Sequence, residues 1–257
     1  MLRAWRYGLA QLLAAAFIAG LIGAVAAREH VTFDTGLLAL GPLFVLVPGP
    51  ALLGGAFDLV GLRIPLGLAR LTYGVLSIIA LSAGVVIGVA IGGPNAVSEL
   101  LPVSPTALWL DMICAAIAST AYGIFFTMPK KTLIFPATMG AVAHGLRWVC
   151  LNELHFANAC AAGLACLLVG VVMEPLSRRL NLPFAALGFA SVVSQVPGVY
   201  LFRMSAGLAK LEQHGAHASV ELLAGILSDG GTATLTLVTM ALGLVIPKSV
   251  YMRIAAP

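Results

Sequence analysis

The chain has very little charge. Only 9% of its 257 residues are Asp, Glu, Lys or Arg, where a water-soluble domain carries roughly a quarter. So few ionic groups cannot clothe a surface in water, and an ordinary soluble domain is excluded. Basic clusters are missing as well. No Lys/Arg run exceeds two adjacent residues, so the net charge of +4 supplies no nucleic-acid surface. Nor is there a glycine-rich phosphate loop, a G-x-S-x-G elbow or an H-E-x-x-H helix. Cys114, Cys150, Cys160 and Cys166 lie in or beside apolar runs without metal or redox spacing, and read as small packing residues. His214 and His217, with Glu212 and Glu221 nearby, fit a solvated loop better than a metal pair. Neither a metal nor a cofactor is expected.

What is abundant is apolar sequence: 60% of residues are hydrophobic, and the mean hydropathy is +1.03. Charge-free runs occur at 7–27, 35–57, 71–98, 112–129, 156–173, 180–202 and 230–247, each near the roughly 20 residues that cross hydrocarbon as a helix. Residues 132–149 form an eighth, weaker run that holds His144 and Arg147. The expected fold is therefore an all-α polytopic membrane protein with eight transmembrane helices. Lys and Arg of short loops gather on the cytoplasmic side. Eight spans place ten basic residues on one face (Arg3, Arg6, Arg63, Arg70, Lys130, Lys131, Arg178, Arg179, Lys248, Arg253) and four on the other (Arg28, Arg147, Arg203, Lys210). Omitting the weak fifth span spoils this bias, so the charges argue for it. The expected location is a bacterial inner membrane, with both termini cytoplasmic. The first run ends in "AVA" like a secretory signal, but it is longer than a signal's apolar core of about 7 to 15 residues and reads as a retained helix. The longest polar connection, 209–229, suggests an amphipathic helix on the outer surface.

One span is built against type. "FVLVPGPALLGGAFDLVG" at 44–61 sets Pro48, Gly49, Pro50 and Asp58 inside an apolar run, and Val196, Pro197 and Gly198 repeat the Val-Pro-Gly at 47–49. Each copy lies in a span preceded and followed by one other, so spans 1 to 3 read like spans 6 to 8. Five crossings separate the copies, an odd number, which gives opposite directions and a partial inverted repeat of 3 + 5 helices. The halves are 1–98 and 99–257. Proline removes amide donors, which frees the carbonyls of Phe44, Leu46 and Val193 from helical pairing, and glycine lets backbone approach a ligand. Interrupted helices of this kind line the midplane sites of transporters. A proline kink repacked against neighbouring helices is the alternative.

Few polar groups fall at membrane depth, and each is a candidate because burying it is expensive. Ser194 and Gln195, just before the second Pro-Gly, suit a substrate carboxylate or hydroxyl, or else helix–helix hydrogen bonds. With Pro48, Gly49, Pro50, Pro197 and Gly198 they make up the expected substrate path. Asp58 is a candidate coupling carboxylate, or a cap paired with Arg63 or Arg70. Asp111 suits the N-terminus of span 4, and Glu174 can pair with Arg178 at i+4; both remain coupling candidates. No nucleophile and base are expected at matched depth, which leaves an intramembrane enzyme the weakest reading.

The stretches "LVPGPALLGGAFDLVGLRIPLGLARL" at 46–71 and "YGIFFTMPKKTLIFPATMGAVAHGLRW" at 122–148, with the Pro-Gly at 197–198, resemble the threonine/serine exporter family. That resemblance implies ten helices in two five-helix halves, sometimes on two polypeptides, and export of small amino acids, with succinate associated with two-component relatives. The family commonly begins with a cytoplasmic domain and two further helices, so with 3 + 5 helices here either a second membrane subunit supplies the rest, or a homodimer compensates, or the chain is a fragment. Gly54, Gly55, Ala56 and Phe57 stand where the family often has a polar residue before its Asp-Leu, here Asp58-Leu59. The expected function is proton-coupled export of threonine/serine-type amino acids by alternating access. The alternatives are a dicarboxylate substrate, or a non-transporting subunit or scaffold. The expected partners are a small molecule and the lipid bilayer, with no nucleic acid.

Overall fold

A computed structural model describes residues 8–28, 46–92 and 106–254. These residues form nine α-helices and no strand. They are α1 (Gly8–Arg28), α2 (Gly49–Val60), α3 (Ile64–Gly92), α4 (Leu108–Phe125), α5 (Ile134–Asn152), α6 (Asn158–Leu180), α7 (Phe184–Val192), α8 (Gly198–His214) and α9 (Val220–Ile254). A 3-10 turn, Val193–Gln195, extends α7. By length and composition α1, α3, α4, α6 and α9 can cross a membrane, and a sixth span results if α7 and the start of α8 are one interrupted crossing.

Eight spans were expected, and the shortfall has two causes. The start of the second run lies outside the described residues, leaving the 12-residue α2. The weak fifth run is a full helix of 19 residues, α5, whose His144 and Arg147 lower its hydropathy. The 209–229 connection departs from expectation too. It forms no separate helix: α8 continues to His214, a 3-10 turn spans Gly215–His217, and α9 begins at Val220. Gly215 makes the break, with φ at +52°, a left-handed value that glycine adopts without penalty.

The chain divides into two compact units that cut across the sequence halves. Met1–Pro48, Thr72–Ser104 and Gly198–Gly231 make up unit 1; Gly49–Leu71, Pro105–Pro197 and Thr232–Pro257 make up unit 2. Of the five points where the chain passes from one unit to the other, two fall at the Pro-Gly pairs, Pro48/Gly49 and Pro197/Gly198.

Within unit 1, α1 and α3 run parallel and meet through small residues. A Cβ on Gly84 would lie 2.7 Å from Ala16 Cβ, one on Gly88 2.3 Å from the Phe17 carbonyl oxygen, and one on Gly92 2.5 Å from Ala24 Cβ. Both helices carry small residues every fourth position: Ala16, Gly20 and Ala24 face Gly84, Gly88 and Gly92. In lipid there is no hydrophobic drive between helices, so close backbone packing of this kind holds them. Ala16, Ala19, Leu81, Val85, Val89 and Phe202 form the buried core of the unit.

Unit 2 repeats the device. Its α6 and the later part of α9 also run parallel: Gly163 abuts Thr239, Gly170 abuts Gly243 and Pro247, and Gly243 abuts Cys166. Spans 1 and 3 and spans 6 and 8 thus share one packing mode, each pair flanking a Pro-Gly span in sequence. The helices α4 and α5 are instead antiparallel. Gly123 meets Leu133 and Pro136, Gly140 meets Ser119, and Gly145 meets Met112. Large side chains remain outside: Ile18, Ile22, Ile79, Ile91, Ile117 and Ile124 are each more than half exposed, an apolar coat suited to lipid.

The Gly88→Leu change should drive a side chain into the α1 backbone. Overpacking of this kind costs about 1–3 kcal/mol, so the unfolding midpoint in detergent should fall by about 3–10 °C. Gly231→Ala, with nothing within 4 Å of its Cβ position, should leave the midpoint unchanged.

Candidate functional site

Both Val-Pro-Gly copies break the helix in the same way: Val47 and Val196 are bends, Pro48 and Pro197 lack helical pairing, and Gly49 and Gly198 open the next helix. Val196 is extended, with φ −55° and ψ 133°. The two copies are also reciprocal neighbours. A Cβ on Gly49 would stand 2.9 Å from Val193 Cγ2 and 3.7 Å from Val196 Cγ2, and one on Gly198 3.5 Å from Val47 Cγ2. At Gly49 a side chain would crowd Val193, whereas at Gly198 it would meet Val47 only at ordinary contact distance. Pro50 is less disruptive than the sequence suggested. It lies in the first turn of α2, where an amide hydrogen would have no helical acceptor anyway. Phe44 lies outside the described residues.

The 3-10 turn after α7 carries Ser194 and Gln195 and packs against α2, α4 and α7. Gln195 is 1% exposed, and neither atom of its amide has a hydrogen-bond partner. A buried amide without partners costs about 1–3 kcal/mol, so Gln195 marks a polar position in an otherwise apolar surrounding. Ser194 is half-buried and is joined to two other residues. Its Oγ lies 3.0 Å from His144 Nε2, and His144 Nδ1 lies 3.2 Å and 3.4 Å from the two carboxylate oxygens of Asp111. The antiparallel packing of α4 and α5 explains the second contact. With Gly145 against Met112, the first turn of α4 lies beside the second half of α5, and Asp111 and His144 project from those turns toward each other. Asp111 does occupy the first turn of α4, but its carboxylate is engaged by a side chain.

The Asp111, His144 and Ser194 chain corrects one expectation. A hydroxyl and a base do meet at matched depth. Sequence reading passed over His144, and its one visible signal was a position one turn from Arg147 in an otherwise apolar run. Arg147 is itself tied into unit 2: its Nη2 donates to Asn158 Oδ1 at 2.6 Å, and Asn158 Nδ2 donates to Thr236 Oγ1 at 2.9 Å.

The other two acids are held by arginines. Asp58, 3% exposed, accepts from Arg70 Nη1 at 2.5 Å, with Arg63 Nη1 at 3.8 Å. Glu174 Oε1 accepts from Arg178 Nε at 2.9 Å, while its buried Oε2 has no partner. Both pairings are those that the sequence offered beside a coupling role. Lys248 Nζ sits 5.1 Å above the Phe57 ring and 5.8 Å above the Phe184 ring, so a cation and stacked aromatics flank Asp58's helix end. A further acid escaped the sequence reading altogether. Asp229, buried in unit 1, pairs with Arg203 at 3.2 Å beside a cavity of about 320 Å³ that Lys210 and Glu221 also line. It borders a charge-free run, which hid it among loop residues. Among the described residues no group of three His, Cys, Asp or Glu side chains could hold a metal. The His214 side chain lies outside the described residues.

Long apolar helices, a lipid-suited exterior and polar side chains gathered at helix breaks define a polytopic membrane protein built as membrane transporters are. Comparison with known families gives the particular one. Residues 111–250 match the family described as "Threonine/Serine exporter, ThrE", and residues 3–92 match a second threonine/serine exporter profile. The chain belongs to the threonine/serine exporter family, whose members are transporters and not enzymes. No solved structure matches it.

Arg70→Met should leave the buried Asp58 carboxylate without its nearer partner. A cost of about 2 kcal/mol is expected, below that of a fully buried pair because Arg70 is half exposed. Adding Asp58→Asn should recover most of the loss, and a double-mutant cycle on detergent unfolding measures it.

Proposed function

We propose that this protein exports a small polar metabolite of the threonine/serine type, by proton-coupled alternating access, past the break formed by Gln195, Val196 and Pro197. One observation carries the reading: the buried Gln195 amide with neither atom partnered. An amide offers two donors and one acceptor side. An amino acid's carboxylate and its ammonium or hydroxyl complement both. Ser194 adds a hydroxyl on the same turn, and the first turn of α2 packs against that turn. Helix starts leave backbone amide hydrogens free and favour negative charge, which suits the substrate carboxylate. Gly49 and Pro197, which share unit 2 with Ser194 and Gln195, line the path in this reading because they let backbone reach the substrate without an intervening side chain.

Asp58 and Glu174 hold arginines in the structure, and in this reading they act as ion pairs at the cytoplasmic face, with both termini on that side of the inner membrane. A second membrane subunit or a second copy of the chain is the partner in this reading. A dicarboxylate such as succinate is the alternative substrate, and a scaffold that transports nothing is the alternative role.

Purified protein in vesicles loaded with labelled threonine, serine or succinate tests the proposal. Efflux of threonine or serine is expected to exceed that of succinate. Gln195→Leu should lower it about tenfold or more, the penalty for a site that loses its hydrogen-bonding partner, with membrane levels retained. Efflux of succinate alone would support the dicarboxylate. No efflux, with or without a co-purified subunit, would leave the scaffold.

A further inference from the structure

We propose that His144 is a proton-carrying switch that sets the hydrogen-bond polarity of Ser194 in the substrate path, with Asp111 as its positioning residue. The proposal rests on the reading that the turn carrying Ser194 and Gln195 contacts substrate.

Hydrogen counting gives the mechanism. An ionised carboxylate only accepts hydrogen bonds, so the Nδ1 of His144 facing Asp111 carries a hydrogen in both charge states. The neutral ring therefore has a bare Nε2. Ser194, 3.0 Å away, must then donate its own hydroxyl hydrogen to the ring and offers lone pairs to anything beside it. Uptake of one proton forms an N–H bond at Nε2. That group now donates to Ser194 Oγ, and the hydroxyl hydrogen is released to point elsewhere. No covalent bond to oxygen breaks and no electron moves. One proton converts Ser194 from an acceptor into a donor toward its other neighbour, and release of that proton reverses the change.

The charged groups that face His144 are few. The helix α5 packs against α4, α6, α7 and the 3-10 turn Lys130–Thr132. From α4 the facing charge is Asp111, which favours the protonated ring. Arg147 follows one turn later on α5 and opposes it, its guanidinium held by Asn158 of α6. The charged residues of α6, Glu174, Arg178 and Arg179, begin 16 positions after Asn158, roughly 24 Å along the helix. Cys160 and Cys166 are its other titratable groups. The segment from Phe184 to Gln195 has none, and Lys130 and Lys131 stand some 13 positions before His144, about 20 Å along α5. The imidazole is thus held between one carboxylate and one guanidinium, with a second ring nitrogen on Ser194, the geometry a group needs to take up a proton and give it back. The unpartnered Gln195 amide on the same turn is the independent sign that a ligand comes here.

The same three residue types serve as nucleophile, base and orienting acid in hydrolases, so the tests must separate relay from acyl transfer. The first measurement does not depend on transport: ¹⁵N-histidine spectra of the purified protein, with His144 assigned by its loss in His144→Gln. Nδ1 should stay protonated while Nε2 gains and loses its proton with pH, and Asp111→Asn should abolish the fixed Nδ1–H tautomer, because an amide can face either form of the ring. The second compares two modes in vesicles. His144→Gln should lose about tenfold or more of pH-gradient-driven threonine export while keeping threonine/threonine exchange without a gradient. Titration without any transport would sink the exporter reading and leave the switch standing. An Nε2 that does not titrate, equal loss of both transport modes in His144→Gln, or unchanged gradient-driven export would each overturn the switch. Labelling of Ser194 by a fluorophosphonate, abolished in His144→Gln, would overturn it in favour of acyl transfer.

Discussion

In hydrocarbon, polar groups have no water to fall back on, and apolar side chains gain nothing by choosing a helix over a lipid tail. The first condition makes every break in a helix expensive. The second means that helices stay together only where their backbones come close. This chain meets both with glycine. The α1/α3 pair and the α6/α9 pair are parallel and drawn together by glycines with backbone oxygens or small side chains across from them. Two helices adjacent in a membrane can run parallel only if the chain crosses back between them. The Pro-Gly segments lie in those return stretches, so the small-residue packing and the interrupted helices are two parts of one arrangement.

The reciprocity of the breaks follows from that arrangement. Each compact unit contains one parallel pair together with the helix that begins at the Pro-Gly of the opposite repeat: α8 in unit 1, α2 in unit 2. Gly49 then lies under Val193 and Val196, and Gly198 under Val47. A side chain at Gly49 would have to displace Val193, and one at Gly198 would rest on Val47 at ordinary contact distance, so each motif packs beside residues of the other although 149 positions separate them in the chain. A single proline kink gives no such pairing, and this is why the repeat favours a shared break over two unrelated bends.

How much of this was legible beforehand depended on whether the signal was local. Charge-free runs are local, and α1, α3, α4, α6 and α9 match them to within several residues. The helix at α5 is local only in its length. Its polar residues hide it from hydropathy, and the distribution of Lys and Arg disclosed it because topology is a property of the whole chain. The Val-Pro-Gly repeat was legible as sequence. Its reciprocal contacts were not, since they depend on which elements share a unit. The link from Asp111 to His144 needed the register between α4 and α5. That register is set by Gly123, Gly140 and Gly145 against Leu133, Ser119 and Met112, and no residue near Asp111 or His144 announces it. Asp58 and Glu174 show the reverse case. Their arginine partners are 12 and 4 positions away, within one turn-linked helix pair or one helix, and both were named from spacing alone.

A serine, a histidine and an aspartate in hydrogen-bond sequence do not by themselves specify chemistry, because geometry of this kind recurs on unrelated folds in different roles. What distinguishes the present set is where its members stand. In a hydrolase the serine must meet an electrophilic carbon, and donors must wait where negative charge develops on the carbonyl oxygen. Here the serine sits on a 3-10 turn at a helix break, and its neighbour is an amide that offers both donor and acceptor. An amide of that kind suits a ligand carrying both polarities better than a single developing oxyanion. A relay needs only that the imidazole be oriented and that its far nitrogen touch a group whose bonding can reverse, and Asp111 and Ser194 meet those two requirements. The two roles therefore differ in what each asks of the neighbouring Gln195 amide: a relay leaves it to the ligand, whereas acyl transfer needs its donors aimed at one developing oxyanion.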